Sequence, residues 1–160
     1  LMLFRKYGQA LLITQERASR LLLVHRQPNK TSQAVLDALR AQLLAFPAHL
    51  RQSMTFDNGT EFFLHYQLNG GDINMDTYFC DVHAPWQKGG IENAIGRLRR
   101  GLPRKSDLAA IPQEQIDQLV LRYNTTPRKC LKYRTPAEVF LENFNPLHFK
   151  REFTSRPAPG

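Results

Sequence analysis

The chain is short of acid. No Asp or Glu occurs before Glu16, and the 160 residues carry 14 acidic against 22 basic side chains, a formal charge of +8. That balance excludes an acidic, solvating protein and makes nucleic acid the commonest partner, ahead of anionic membranes. Long apolar runs are lacking too. The longest, Ala10–Ile13 and Leu21–Val24, fall far below the ~20 residues a membrane span needs. The two cysteines, Cys80 and Cys130, are too few for a disulfide framework and suit a reducing compartment such as the cytoplasm. Cys80 and His83 have a zinc-like spacing, but no second pair completes a site, so both thiols read as structural. Repeats and low-complexity segments are also lacking.

What is present suits one α/β domain. Hydrophobic residues make up 42% of the chain, enough for a core at this length. Ala10–Thr14 and Arg20–His25 are apolar runs separated by "QERAS", the spacing of a strand hairpin. The period then changes. Val35, Leu36, Leu39 and Leu43 share one helical face, Thr31 or Ser32 caps its start, and Phe46-Pro47 ends it. "SMTF" (53–56) and "TYFC" (77–80) are short strand candidates. Thr60–Leu68 reads as a helix stopped by Asn69-Gly70-Gly71. Three helices follow: one from Gly90 to about Leu102, one opened by Pro112, and one opened by the capping box "TPAE". Leu12, Leu22, Val35, Leu39, Ile95 and Leu98 are the expected core residues. The domain is expected to run from 1 to 153, with a frayed tail over 154–160.

Two acids stand out. Asp57, in "FDNGTEF", closes a strand and precedes the turn pair Asn58-Gly59. Glu92 lies 34 residues beyond it, in "GGIENAIGRLRRGL". In that helix Ile91, Ile95, Leu98 and Leu102 form the stripe expected to face the core, and Glu92 falls at its edge. Gly96 leaves bare backbone one turn on. This serves either the close approach of a large ligand or a helix–helix contact. Asn93, Arg97, Arg100 and Arg104 are placed on the solvent side, with Arg99 near the acid edge. Carboxylates on separate rigid elements, with basic side chains around them, are what a two-metal phosphodiester site requires. Gln87 and Lys88 precede the helix N-terminus, where a DNA phosphate is expected to sit. Trp86 is expected to pack beneath its loop, His65 to be a packing or surface histidine, and Glu61 to be a solvated helix-start residue.

"DNGTEF", then "FCDVHAPWQKGGIENAIGRLRRGLP", then "YNTTPRKCLKYRTPAEVF" resemble the catalytic core of insertion-sequence transposases. The likeness is closest to the insertion-sequence-thirty family, with retroviral-type integrases as more distant relatives. It implies an RNase H-like α/β fold, a five-stranded mixed sheet flanked by helices with its first three strands antiparallel. It implies an Asp–Asp–Glu triad holding Mg²⁺ or Mn²⁺ in a two-metal site, with Asp57 matching the second acid and Glu92 the third. Nicking of transposon-end DNA, strand transfer into target DNA, a homo-oligomeric assembly and a place in the bacterial cytoplasm at the nucleoid are implied as well.

The family's first Asp belongs on the first strand, directly before the stretch matching "LMLF". The sequence opens on Leu1 with no acid there, as expected of a core cut just after that residue. Two of three acids leave it short of a complete site. Two other readings stay open: a non-catalytic DNA-binding or assembly remnant of a decayed element, and another RNase H-like nuclease.

Overall fold

The computed structural model describes residues 1–4 and 9–144. The expected tail, 154–160, lies outside them. The first 27 residues contribute an antiparallel sheet in the order β1 (Met2–Leu3), β2 (Ala10–Gln15), β3 (Leu22–Gln27). Its hairpin turn is held by Glu16, whose carboxylate accepts from the Ala18 amide at 2.8 Å, the Ser19 amide at 2.6 Å and the Ser19 hydroxyl. Arg20, in the left-handed region at φ 65°, completes the turn.

Strand β2 is apolar at every position from Ala10 to Ile13 because both of its faces are covered. Leu11 and Ile13 point into a cluster with Ala94, Leu98, Leu102, Leu108, Ile116 and Tyr123. Leu12, pointing the other way, joins Val35, Leu36, Leu39, Phe56, Phe62 and Leu68. Helix α1 (Ser32–Leu44) builds the second cluster, capped by the Thr31 hydroxyl accepting from the Ala34 amide. Helices α2 (Gly89–Leu98) and α3 (Gln113–Asn124) contribute to the first. Helix α4 (Pro136–Phe144) closes the described chain, and Thr135 and Glu138 form the capping box that "TPAE" predicts.

Strands β4 (Ser53–Phe56) and β5 (Asp76–Phe79) pair in parallel, Ser53 opposite Asp76. Among the described residues there are five strands, the first three antiparallel, but they form a three-stranded and a two-stranded sheet, not the single five-stranded one expected. Strand β1 is two residues long and bonds to β2 alone, so its other edge offers little backbone for β4. Apolar contact persists across the gap, since Leu1 and Met54 both pack on the second cluster.

Three smaller expectations also change. Thr60–Leu68 is a 3₁₀ helix. Its inward side chains, Phe62, His65 and Leu68, recur every third residue, which matches three residues per turn. The helix expected to reach about Leu102 ends at Leu98, and tight turns follow, with the Gly101 amide bonded to the Leu98 carbonyl. Of the six expected core residues, Leu12, Leu22, Val35, Leu39 and Leu98 are buried, whereas Ile95 is only partly so. Ala94 takes the central place, which turns the α2 stripe to put Ile91 and Ile95 on its margin.

Candidate catalytic site and nucleic-acid face

Asp57 follows β4 directly. Phe56 is buried and fixes the strand end; the next side chain is exposed. The turn is tied to the end of β5 from both sides. The Phe56 carbonyl accepts the Cys80 amide at 2.8 Å, and the Asn58 side chain donates to the Cys80 carbonyl at 3.1 Å. Glu61 folds its carboxylate back over Gly59, where an added Cβ would meet Oε2 at 2.5 Å. Beside this turn an open groove of about 410 Å³ is lined by Asn58, Thr60, Phe63, Tyr66 and Phe79. His65 closes its floor, its ring 4.6 Å edge-on from Phe79 and its Nδ1 3.0 Å from the Thr77 hydroxyl.

Glu92 is exposed in the first turn of α2, and its amide bonds to the Lys88 carbonyl at 3.0 Å. The helix start lies against the β2–β3 hairpin. An added Cβ on Gly90 would meet Arg20 Nη1 at 2.8 Å and Gln15 Oε1 at 2.9 Å, so glycine permits that approach. Gln15 also donates to the Tyr123 hydroxyl at 3.0 Å. Next to it, the Asn124 amide clasps β3: its oxygen accepts the Leu22 amide and its nitrogen donates to the Leu22 carbonyl, both at 2.9 Å. Gly96 meets no heavy atom within 4 Å of an added Cβ. Among the described residues no helix packs there, so the backbone one turn beyond Glu92 is open.

Among the described residues no three His, Cys, Asp or Glu side chains gather as a metal-holding group. Glu16 is committed to the hairpin turn. Asp57 and Glu92 are exposed carboxylates, hard oxygen donors of the kind Mg²⁺ takes.

The nucleic-acid residues expected from sequence divide. Asn93, Arg97, Arg100 and Arg104 are exposed, with Arg97 Nε donating to Asn93 Oδ1 at 2.9 Å. Because α2 stops early, Arg100 and Arg104 project from the turns after the helix. Arg99 is structural. Its guanidinium lies 5.0 Å from the Phe4 ring centroid and donates to the Leu3 carbonyl at 2.5 Å, pinning β1. Desolvation, with help from Arg104, holds its pKa below the usual arginine value. Lys88 occupies the α2 N-cap with no side-chain cap bond. Gln87 is exposed and braces its own loop: its side chain accepts from the Asp81 amide at 2.7 Å and donates to Asp81 Oδ2 at 2.8 Å. Trp86, expected to pack beneath the loop, is 77% exposed.

Sequence reasoning missed the framing roles of Tyr123, Asn124 and Arg128. Arg128 is buried, stacked 4.2 Å from the Tyr123 ring centroid, and donates to the Tyr123 carbonyl at 2.9 Å. Burial, chiefly, holds its pKa below the usual arginine value. The signal was there in "YNTTPRK": an aromatic, an amide and a cation close together at a helix end.

No family model matches the chain. Among curated proteins, the transposase of insertion sequence IS1086 from Cupriavidus metallidurans is 37% identical over 127 residues, covering 79% of this chain and 37% of that protein. The InsI transposase of IS30A from Escherichia coli is 37% identical over 124 residues, covering 78% and 32% respectively. The chain is related to the IS30-type transposases. It spans about a third of the length of these relatives. In structure it is similar to the HTLV-2 integrase catalytic core solved with magnesium in a trimeric form, with TM-score 0.58, 18% identity, and coverage of 86% of this chain and 88% of that one. A simian T-cell lymphotropic virus intasome gives TM-score 0.67 at 14% identity, over 98% of this chain and 53% of the other. At such identities the likeness speaks for fold: this transposase relative has the integrase-core, RNase H-like α/β architecture.

Proposed function

We propose that this chain is the catalytic core of a metal-dependent DDE transposase, which cleaves transposon-end DNA and joins the freed 3′-hydroxyl to target DNA. One observation carries the reading. Asp57 at a strand end and Glu92 in a first helical turn are both exposed on anchored backbone, within a chain related to transposases over most of its length. Asp57 and Glu92 would hold Mg²⁺ or Mn²⁺, which when bound supplies Lewis-acid stabilisation of charge on the phosphodiester oxygens.

The β1–β2 register supports a third acid upstream. Met2 pairs with Leu11 and Leu3 with Ala10, so a residue just before Leu1 falls opposite Ile13. Strand β2 runs from there to Gln15, which touches Gly90 at the start of the Glu92 helix. Extending β1 upstream therefore leads toward Glu92. DNA would be held by Lys88 at the uncapped N-terminus of α2 and by Asn93, Arg97, Arg100 and Arg104 on phosphates. Assembly as a homo-oligomer on transposon ends, at the bacterial nucleoid, belongs to the same proposal.

The test uses a protein extended upstream through an Asp before Leu1 and through its end-binding region, assayed for nicking and joining of transposon-end DNA with Mg²⁺ or Mn²⁺. Asp57→Asn and Glu92→Gln keep shape and remove charge. Each is expected to abolish both steps and leave DNA binding intact. Full activity in Glu92→Gln would overturn the assignment. The second reading is a DNA-binding assembly remnant. A gene with no Asp codon upstream of Leu1 would support it. Nicking without joining would point to another RNase H-like nuclease.

A further inference from the structure

The connection between α3 and α4 is built at odds with its own sequence. Lys132 (φ 54°, ψ 43°) and Tyr133 (φ 64°) are consecutive left-handed residues, and neither is glycine. Such backbone persists only where the surroundings over-determine it. Here they do. The Arg128 amide donates to the Arg134 carbonyl at 2.9 Å, the Tyr133 amide to the Arg128 carbonyl at 2.8 Å, and the Lys132 amide to the Lys129 carbonyl at 3.1 Å. Beneath them the buried Arg128 side chain stacks on Tyr123 and bonds its carbonyl. Arg134, at the far end of the loop, pairs with Glu142 of α4.

The strained backbone turns polar and aromatic side chains outward. Tyr133 is 73% exposed, and Lys129 and Lys132 are exposed beside it. The stretch from Asn124 to Arg134 contains no acid. The loop hangs on the C-terminal end of α3, and α3 packs on α2, whose exposed face carries Arg97. The loop thus adds exposed cations at the end of the helix that packs on α2.

We infer that the 128–134 loop is a preformed DNA-backbone contact, in which Lys129 and Lys132 meet phosphates and the Tyr133 hydroxyl donates to a third. This rests on the DNA-processing reading above and extends it to a surface away from Asp57. A fixed loop loses little conformational freedom on binding, which is the physical use of holding two residues in a disfavoured region.

The experiment is salt-dependent binding of a duplex of arbitrary sequence by the 160-residue chain, wild type and variants, with thermal melts of each. Lys129→Ala with Lys132→Gly removes two phosphate contacts and is expected to lower the slope of log affinity against log salt by about 1.8. Lys132→Gly also relieves the backbone, so that variant should melt no lower than wild type. Tyr133→Phe should weaken binding by about three- to tenfold and leave the slope unchanged, because a neutral hydroxyl releases no counterion. If wild type binds and Arg97→Ala weakens it while the loop variants match wild type in affinity and slope, the inference is overturned and the loop is only a clamp for α4. If wild type itself does not bind, the DNA-processing reading fails first. A Tyr133→Phe variant that binds normally but melts lower would also overturn the loop assignment.

Discussion

Asn124 offers the sharpest test of what holds the fold together. Its side chain acts as a short piece of strand, accepting the Leu22 amide and donating to the Leu22 carbonyl, both at 2.9 Å. Leu22 is fully buried, so water does not readily replace the amide. Asn124→Ala leaves one buried donor and one buried acceptor unpaired. At about 1–3 kcal/mol for each stranded group, and with partial relaxation, the loss should be about 2–4 kcal/mol. That is a large share of the ~5–15 kcal/mol that a domain has in total. For a domain of this size it lowers the melting temperature by roughly 5–15 °C. Urea unfolding followed by circular dichroism reads it as a lower midpoint at unchanged slope. Asn124→Asp sharpens the argument. The ionised carboxylate keeps the acceptor but turns a second acceptor on the Leu22 carbonyl, so folding favours the protonated form and raises the group's pKa. The stability of this variant relative to wild type should then be highest below about pH 4, the unfolded value, and fall as pH rises through the folded value. A loss under about 0.5 kcal/mol for Asn124→Ala would mean that water does reach Leu22, and the clasp would lose its standing as the anchor of β3.

Two further perturbations follow from local geometry. Lys132→Gly exchanges a left-handed lysine for the residue that tolerates this region, and after the extra chain entropy of glycine the gain should be about 0.5–1 kcal/mol; a lower melting temperature would refute it. At the start of α4 the Thr135 amide, then the Thr135 hydroxyl, holds the Glu138 carboxyl below its ordinary pKa. A depressed folded value contributes stability above the unfolded pKa and loses it as pH falls through the folded one. The advantage of wild type over Glu138→Gln should therefore disappear in acid, and a pH-independent difference would show that the capping bond does not depend on charge.

Period and punctuation carried most of the fold. The hairpin, the α1 face, the capping box and the placement of Asp57 and Glu92 on a strand end and a helix all follow from local sequence rules, which act over a few residues. The failures are long-range. Whether β4 joins β1 depends on how segments far apart in sequence meet, which no local pattern reports. Arg99 looked like one more cation of "GRLRRGL". Only the chain path, which brings Leu3 and Phe4 beneath it, makes it a structural pin. Trp86, expected to pack, stays exposed, while its neighbour Gln87 braces Asp81. The 3₁₀ segment is the one case where a finer reading of period, three in place of 3.6, would have sufficed.

These contacts have a bearing on the proposed role of Glu92. Under that proposal the carboxylate would be useful only if the helix start is fixed to within a fraction of an ångström. Glycine at position 90 lets α2 close on the hairpin, but glycine contributes no side chain to hold it. The holding falls to Gln15, whose oxygen lies against Gly90 and whose nitrogen is oriented by the Tyr123 hydroxyl. Tyr123 is fixed in turn by Arg128 on its ring and by Asn124 next in sequence. The downstream motif "YNTTPRK" thus acts on the acid through two intermediaries. Tyr123→Phe isolates that effect, since it keeps the ring and its stacking and removes only the hydroxyl. In the upstream-extended protein, joining of transposon-end DNA should fall by about tenfold, the equivalent of one lost hydrogen bond. DNA affinity should hold. The melting temperature should fall by no more than about 6 °C. Unchanged joining at an unchanged melting temperature would show that Gln15 orients itself without Tyr123, and that packing alone sets the direction of Glu92.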